Sequence, residues 1–154
     1  MLSPASRADA PAVIALIGRV YAEYGFMYDP AMEVPDLLDF AAHYEAPRGT
    51  FFVVRCGHRI VGSIGAERLD SSTAELHRLY LEADLRGRGT GRALVEAVID
   101  WCRSQAICRL ILWSDTRFEQ AHRLYIRMGF RRSGERELAG DANQTREYLF
   151  ERSV

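Results

Sequence analysis

Apolar positions change spacing along the chain, and the changes mark its elements. Val13, Leu16, Ile17, Val20 and Tyr24 recur every three or four residues, which predicts a helix over 9–24. Ser6 and Asp9 stand three apart ahead of it, as in a capping box. Gly25, Pro30 and Pro35 make 25–35 irregular, and 36–44 reads as a second short helix. From Phe51 the pattern becomes β-like. The runs 51–55 and 59–64, joined by Cys56-Gly57-His58, read as a hairpin, and 73–82 as a third β segment.

A helix returns over 89–104, with Leu94, Ala97, Val98, Trp101 and Cys102 as its apolar stripe. The continuous apolar run 109–113 suits a buried strand. Thr116 and Glu119 form a second capping box, opening a helix to Met128, and Gly129 takes the position just past its end. The strands 130–135 and 146–151 close the chain, the latter alternating around Tyr148 and Phe150. Helices, a β meander and then alternating strands and helices predict a mixed α/β fold. Its sheet is partly antiparallel, with helices on both faces.

Composition narrows the function classes. With 154 residues, 48% apolar and 27% charged, the chain suits one domain that buries a core without metal or disulfides. A formal net charge of −1 lacks the basic footprint of a nucleic-acid binder. Three cysteines without a CxxC pair argue against a disulfide framework and a zinc site, and their apolar neighbours suggest small core hydrophobes. The N-terminus lacks a signal-peptide pattern and no run is long enough to span a membrane. The expected location is the cytoplasm, with no membrane partner and no metal.

The candidate chemistry centres on Arg86-Gly87-Arg88-Gly89-Thr90-Gly91, between a strand and a helix. Alternating glycines permit φ > 0, so successive backbone N–H groups can converge on one spot. The following helix adds free N–H groups and the positive end of its dipole, and Arg86, Arg88 and Arg92 add charge. Such a site suits phosphate, although the glycine spacing alone is equally compatible with a ligand-free turn. A Walker loop needs Gly-Lys followed by Ser or Thr, which is absent. A dinucleotide-binding fingerprint needs glycine where Arg92 stands.

Arg86-x-x-Gly89-x-Gly91 resembles the Gln/Arg-x-x-Gly-x-Gly/Ala signature of the GNAT superfamily of N-acetyltransferases. Glu75-Leu76-His77-Arg78-Leu79-Tyr80-Leu81 resembles the strand before that loop. The run 121–130, with Ala121, Leu124, Tyr125, Gly129 and Phe130, resembles the family's closing A-x-x-L-Y-x-x-x-G-F segment. The resemblance covers about 50–150 of the chain, with three ordered motifs. It implies a mostly antiparallel twisted sheet of about six or seven strands, splayed between the fourth and fifth. The chain would be one domain, with acceptor-side helices over 1–48 and an acetyl-CoA-binding part over 50–151. Met1 to Ser6 is short and poorly patterned, so the family's first strand is expected to be truncated.

The resemblance also implies a reaction: transfer of acetyl from acetyl-CoA to the primary amine of an acceptor, a small molecule or a protein. The backbone from Leu79 through Tyr80 to Leu81 would hold the acetyl and pantetheine groups. Arg86, Gly87, Arg88, Gly89, Thr90, Gly91 and Arg92 would hold the diphosphate, and Tyr125 would protonate the CoA sulfur. Glu75, eleven residues before Arg86, stands at a spacing similar to the glutamate base of histone-acetylating relatives. By strand alternation Glu75, His77, Leu79 and Leu81 share one face. A solvated strand-end carboxylate is an equal reading of Glu75, His77 is the second candidate base, and a core role competes for Tyr125.

Many members carry Asn where Phe118 stands, so any contact by that Asn is absent. The acceptor would meet Tyr21, Tyr24, Phe26, Tyr28, Asp29, Glu33 and Asp36, aromatics and acids that suit a cationic amine or simply pack a surface loop. A homodimer is compatible with the resemblance. The rival is a non-catalytic acyl-CoA sensor or interaction module, which would keep the glycine loop but need neither Glu75 nor Tyr125.

Overall fold

The computed structural model describes residues 1–154. Seven strands form one sheet in the order β1-β2-β3-β4-β5-β7-β6. They are β1 (Leu2–Pro4), β2 (Gly49–Cys56), β3 (Arg59–Arg68), β4 (Thr73–Leu81), β5 (Arg109–Asp115), β6 (Arg131–Glu137) and β7 (Arg146–Ser153). All pairs are antiparallel except β4 with β5, which are parallel. The mixed, mostly antiparallel α/β sheet expected from the sequence is therefore what forms. The first strand is three residues long, and Leu2 pairs with Val54 at the sheet edge.

Six helices cover the two faces: α1 (Ala10–Glu23), α2 (Pro30–Glu33), α3 (Pro35–Leu38), α4 (Phe40–Tyr44), α5 (Thr90–Ser104) and α6 (Glu119–Arg127). One core unites Val13, Leu16, Ile17 and Val20 of α1 with Val34, Leu37, Phe40 and the inner residues of β2. The other packs α5 and Tyr125 of α6 against β3, β4, β5 and β7. The long helices α1 and α5 thus each bury one apolar stripe against the sheet, which is the main drive for both layers.

Several expectations change in detail. The first helix begins as a 3-10 turn, Arg7–Asp9, with the Ser6–Asp9 capping box formed. The short helix expected over 36–44 is two helices, broken at Asp39, and part of the segment expected to be irregular forms α2. The buried stripe of α5 is Leu94, Val95, Val98, Ile99 and Cys102, turned by one residue so that Ala97 and Trp101 are only partly covered. The Thr116–Glu119 box does not form. Phe118 is the N-cap of α6 without a side-chain bond, and Asp115 instead accepts from Arg117 N–H at 2.9 Å. Of the cysteines only Cys102 is buried; Cys56 and Cys108 are exposed, because both fall at strand ends. No helix is long and apolar enough to cross a membrane.

Candidate active site

The site begins where the sheet parts. β4 and β5 pair only through Thr73↔Arg109, Ala74↔Leu110 and Glu75↔Ile111. β4 runs on to Leu81 and β5 to Asp115, so beyond Glu75 the strands diverge and leave a wedge. Glu82 N–H donates to Val61 O at 3.0 Å. Strand alternation then turns the peptide groups of Leu79 and Leu81 away from β3, into that wedge.

A bulge in β4 corrects the face assignment. Gly65 pairs with His77 but Ser63 with Tyr80, so β4 carries one extra residue there. It is Arg78, held at φ 58°, a region that L residues other than Asn, Asp and His seldom occupy. Its displaced carbonyl accepts from Ser63 Oγ at 2.8 Å. The extra residue reverses the alternation. Ala74, Leu76, Leu79 and Leu81 face the α5 core, whereas Tyr80 packs toward α1. Glu75 and His77 therefore do not share a face with the side chains of Leu79 and Leu81.

On the wedge side of the bulge, polar groups form a chain. Arg78 clamps Asp36 with two bonds, Nε to Oδ2 at 3.1 Å and Nη2 to Oδ1 at 2.5 Å. Tyr44 donates its hydroxyl to the same carboxylate. His77 Nδ1 lies 3.1 Å from the Tyr44 oxygen, and His77 Nε2 lies 3.1 Å from Glu75 Oε2. Proton bookkeeping follows from the donor inventory. Because Tyr44 gives its hydrogen to Asp36, its oxygen must accept from His77 Nδ1–H.

Burial raises the pKa of Asp36, but the bonds from Arg78 and Tyr44 outweigh it and hold the carboxyl below its ordinary value. A lowered folded-state pKa gives stability that is present above pH about 3.9 and lost as pH falls through the lowered value. Asp36→Asn leaves the Arg78 guanidinium without its counter-charge, and should cost about 3–5 kcal/mol at pH 7. Urea unfolding at pH 7 and at pH 3 checks both points. The deficit of the variant should be full at pH 7 and smaller at pH 3, where the loss of the Asp36 contribution has begun.

The glycine loop lies at the mouth of the wedge. Gly87 and Gly89 hold φ 76° and 83°, as glycine permits. Gly91 serves close packing: a Cβ there would meet Leu124 at 3.1 Å. Ala93 N–H makes the first bond of α5, to Gly89 O. The six backbone N–H groups from Gly87 to Arg92 accordingly have no acceptor within the chain. Arg88 makes no ion pair, whereas Arg92 pairs with Glu96 on its own helix. The Arg86 side chain turns away from the loop, onto Leu81 O at 2.7 Å and Glu23 at 2.8 Å. It ties loop, strand end and α1 together, leaving its backbone at the site.

Two cavities meet in the wedge. The first, about 270 Å³, is lined by Leu81, Arg86, Gly87, Gly89, Gly91 and Arg127 among others. The second, about 300 Å³, is lined by Glu75, His77, Tyr125, Tyr21, Glu33 and Asp141 among others. Leu79, Tyr80, Phe118 and Ala121 line both, and so form the wall where they join. Phe118 stacks edge-on to Tyr24 at 4.9 Å, an aromatic contact in place of the polar one an Asn would make.

Tyr125 is 3% exposed, and its hydroxyl has no partner within the protein. No side-chain oxygen is sealed without a partner, so this hydroxyl opens onto the cavity it lines. Burial, then Tyr80, pushes its pKa above the ordinary tyrosine value, so it keeps its proton at neutral pH. Sequence reasoning missed Arg127, the Arg78–Asp36–Tyr44 clamp, and the whole wall from the loop between β6 and β7. Of the expected acceptor-side residues, Tyr21 and Glu33 line the second cavity. Tyr24 lines the first, Tyr28 bonds Ile14 O, Asp29 caps α2, and Asp36 is the buried clamp. No cluster of His, Cys, Asp and Glu is arranged to hold a metal.

The family model of the acetyltransferase (GNAT) family matches residues 17–130. The chain belongs to the GNAT acetyltransferase family. It is 34% identical over 120 residues to an N-acetylaspartate synthetase of Danio rerio, covering 75% of this chain and 43% of that one. The chain thus spans less than half of that relative's length. In fold it is similar to a GNAT acetyltransferase of Staphylococcus aureus Mu50, at TM-score 0.85 and 24% identity, covering 99% and 98% of the two chains. It is also similar to an aminoglycoside 6′-N-acetyltransferase solved with coenzyme A, at TM-score 0.73 and 16% identity, covering 99% and 96%.

Proposed function

We propose that this GNAT chain moves an acetyl group from acetyl-CoA to a primary amine by direct attack in a ternary complex. The observation that carries the reading is the run of six unpaired N–H groups, Gly87 to Arg92, opening onto a cavity that joins the one holding Glu75, His77 and Tyr125. Acetyl-CoA supplies the acetyl group as an activated thioester. The N–H run, with the α5 dipole and the unpaired Arg88, suits its diphosphate. The strand backbone at Leu79, Tyr80 and Leu81 suits an extended pantetheine, paired as another strand would be.

The Glu75–His77 pair takes the proton that the acceptor ammonium must lose before its nitrogen has a lone pair. The new bond is amine nitrogen to acetyl carbon, and the bond that breaks is carbon to sulfur. The thiol has an unperturbed pKa near 8.5, so the departing thiolate gains from a proton. Tyr125, protonated and unpartnered, is the donor we assign. We assign the acceptor side to 1–48 together with the loop between β6 and β7. Binding alone needs neither the Glu75–His77 pair nor the open Tyr125 hydroxyl, so their presence favours the enzyme over a CoA-sensing module.

Acetyl-CoA at 100 times its dissociation constant should add about 2.7 kcal/mol of stability. For a chain of this size that raises Tm by roughly 5–10 °C. Tm unmoved by saturating acetyl-CoA and CoA would end the reading. Tyr125→Phe separates the two roles of that residue. Its hydroxyl bonds nothing in the protein, so Tm should hold, while single-turnover acetyl transfer slows by up to about 10²–10⁴. Equal rates would remove Tyr125 from the chemistry.

A further inference from the structure

The second cavity carries a charge imbalance. Five carboxylates line it, Glu33, Glu75, Asp115, Asp141 and Glu147, against two arginines, Arg78 and Arg136. Both arginines are engaged: Arg78 clamps Asp36, and Arg136 pairs with Glu147 at 2.8 Å and lies over Trp113. Asp115 is matched by Arg117 at 2.7 Å. Apart from the Glu75–His77 pair, Glu33 and Asp141 make no direct ion pair; Arg78 and Arg117 attract them only from their own bonds to Asp36 and Asp115. Glu33 accepts only from the Tyr21 hydroxyl, at 3.3 Å. Asp141 accepts only from Asn143 N–H and from the N–H and hydroxyl of Thr145.

The fold brings these two carboxylates to one place. Asn143 of the loop after β6 bonds the backbone of Met27 in both directions, Met27 N–H to Oδ1 at 2.8 Å and Nδ2 to Met27 O at 2.9 Å. Arg117 reinforces the join, bonding Asn143 O at 3.0 Å and lying 4.1 Å over Phe26. The segment leading to Glu33 and the loop bearing Asp141 are thereby locked together. Burial, then Asp141, raises the pKa of Glu33, whereas at Asp141 burial is outweighed by the bonds from Thr145 and Asn143 and by Arg117, which hold that carboxyl below its ordinary value. Met32 and Leu138, both solvent-exposed, give the same cavity an apolar wall. Independently of the acids, the unpartnered and buried Tyr125 hydroxyl opens into this cavity and marks it as a place for a ligand.

We propose that the acceptor is a diamine, an amine that carries a second cationic group on a short apolar spacer, with the second cation held by Glu33 and Asp141. This rests on the acetyl-transfer reading and adds the acceptor class. One ammonium loses its proton to the Glu75–His77 pair and is acetylated, while the other stays charged and supplies the missing counter-charge. An acceptor bearing a carboxylate at that end would instead face two like charges.

The test compares free-thiol release from acetyl-CoA with three acceptors of matched length: 1,5-diaminopentane, pentylamine and 5-aminopentanoate. For wild type, kcat/KM should rank diamine first, by about tenfold or more over pentylamine, and 5-aminopentanoate last. In Glu33→Gln the diamine-to-pentylamine ratio should fall toward one. In Glu33→Lys the preference should turn to 5-aminopentanoate. Equal rates in wild type, or 5-aminopentanoate as the best acceptor, would overturn the diamine assignment while leaving acetyl transfer standing. No release with any of the three, beside a normal acetyl-CoA thermal shift, would overturn the transfer reading and the assignment with it.

Discussion

Glu75→Gln should slow acetyl transfer by about 10²–10⁴ at neutral pH while leaving acetyl-CoA affinity unchanged. The substitution is nearly isosteric. The Gln amide N–H can donate to the lone pair of His77 Nε2, now 3.1 Å from the carboxylate, so the local chain of bonds to Tyr44 and Asp36 stays intact. What goes is the carboxylate that would take the ammonium proton. Single-turnover transfer at neutral pH, beside an acetyl-CoA binding isotherm, reads both quantities. An unchanged rate would pass the role to His77 or to a water.

The second large effect lies at the other end of the wedge. Gly89 is the N-cap of α5, at φ 83°, with nothing within 4 Å of the place a Cβ would take. Gly89→Asp therefore meets no clash, only about 1–2 kcal/mol of left-handed strain. Its carboxylate, however, would stand among the N–H groups offered to the diphosphate. Like charges about 4 Å apart repel by roughly 4 kcal/mol near a protein surface, so acetyl-CoA affinity should fall by about 10³-fold. Circular dichroism should show the fold retained. Normal CoA binding by this variant would place the diphosphate elsewhere.

How much of this was legible in the sequence depends on how local the cause is. The glycine loop was, because left-handed turns and a helix start are local demands that Gly87 and Gly89 meet by themselves. The long helices α1 and α5 and the strands around the core were, because they bury apolar residues; α2, which buries none, was not. The stripe of α5 came out one residue rotated, since Val95 and Ile99 gain burial from strands lying elsewhere in the chain. The bulge at Arg78 defeated simple alternation. Its trace was the adjacent pair His77-Arg78, two polar residues in a row within an otherwise alternating strand, and it reversed every face assignment after it. The Asp36–Arg78 clamp joins residues 42 apart, and Asn143 meets Met27 across 116. No periodicity reports such pairings. The acceptor wall was half visible, as acids and aromatics in 21–36, and half hidden in a polar loop that only the closed fold carries to the cavity.

The central claim is that acetyl-CoA lies in the wedge between β4 and β5, its diphosphate on the loop and its thioester between Glu75 and Tyr125. A crystal structure of the protein with acetyl-CoA tests it most directly. The expected map has phosphate oxygens within hydrogen-bond distance of the N–H groups from Gly87 to Arg92, pantetheine paired with the backbone at Leu79 and Leu81, and sulfur near the Tyr125 hydroxyl. Cofactor bound outside that wedge, or bound there with its sulfur remote from Tyr125 and Glu75, would contradict it.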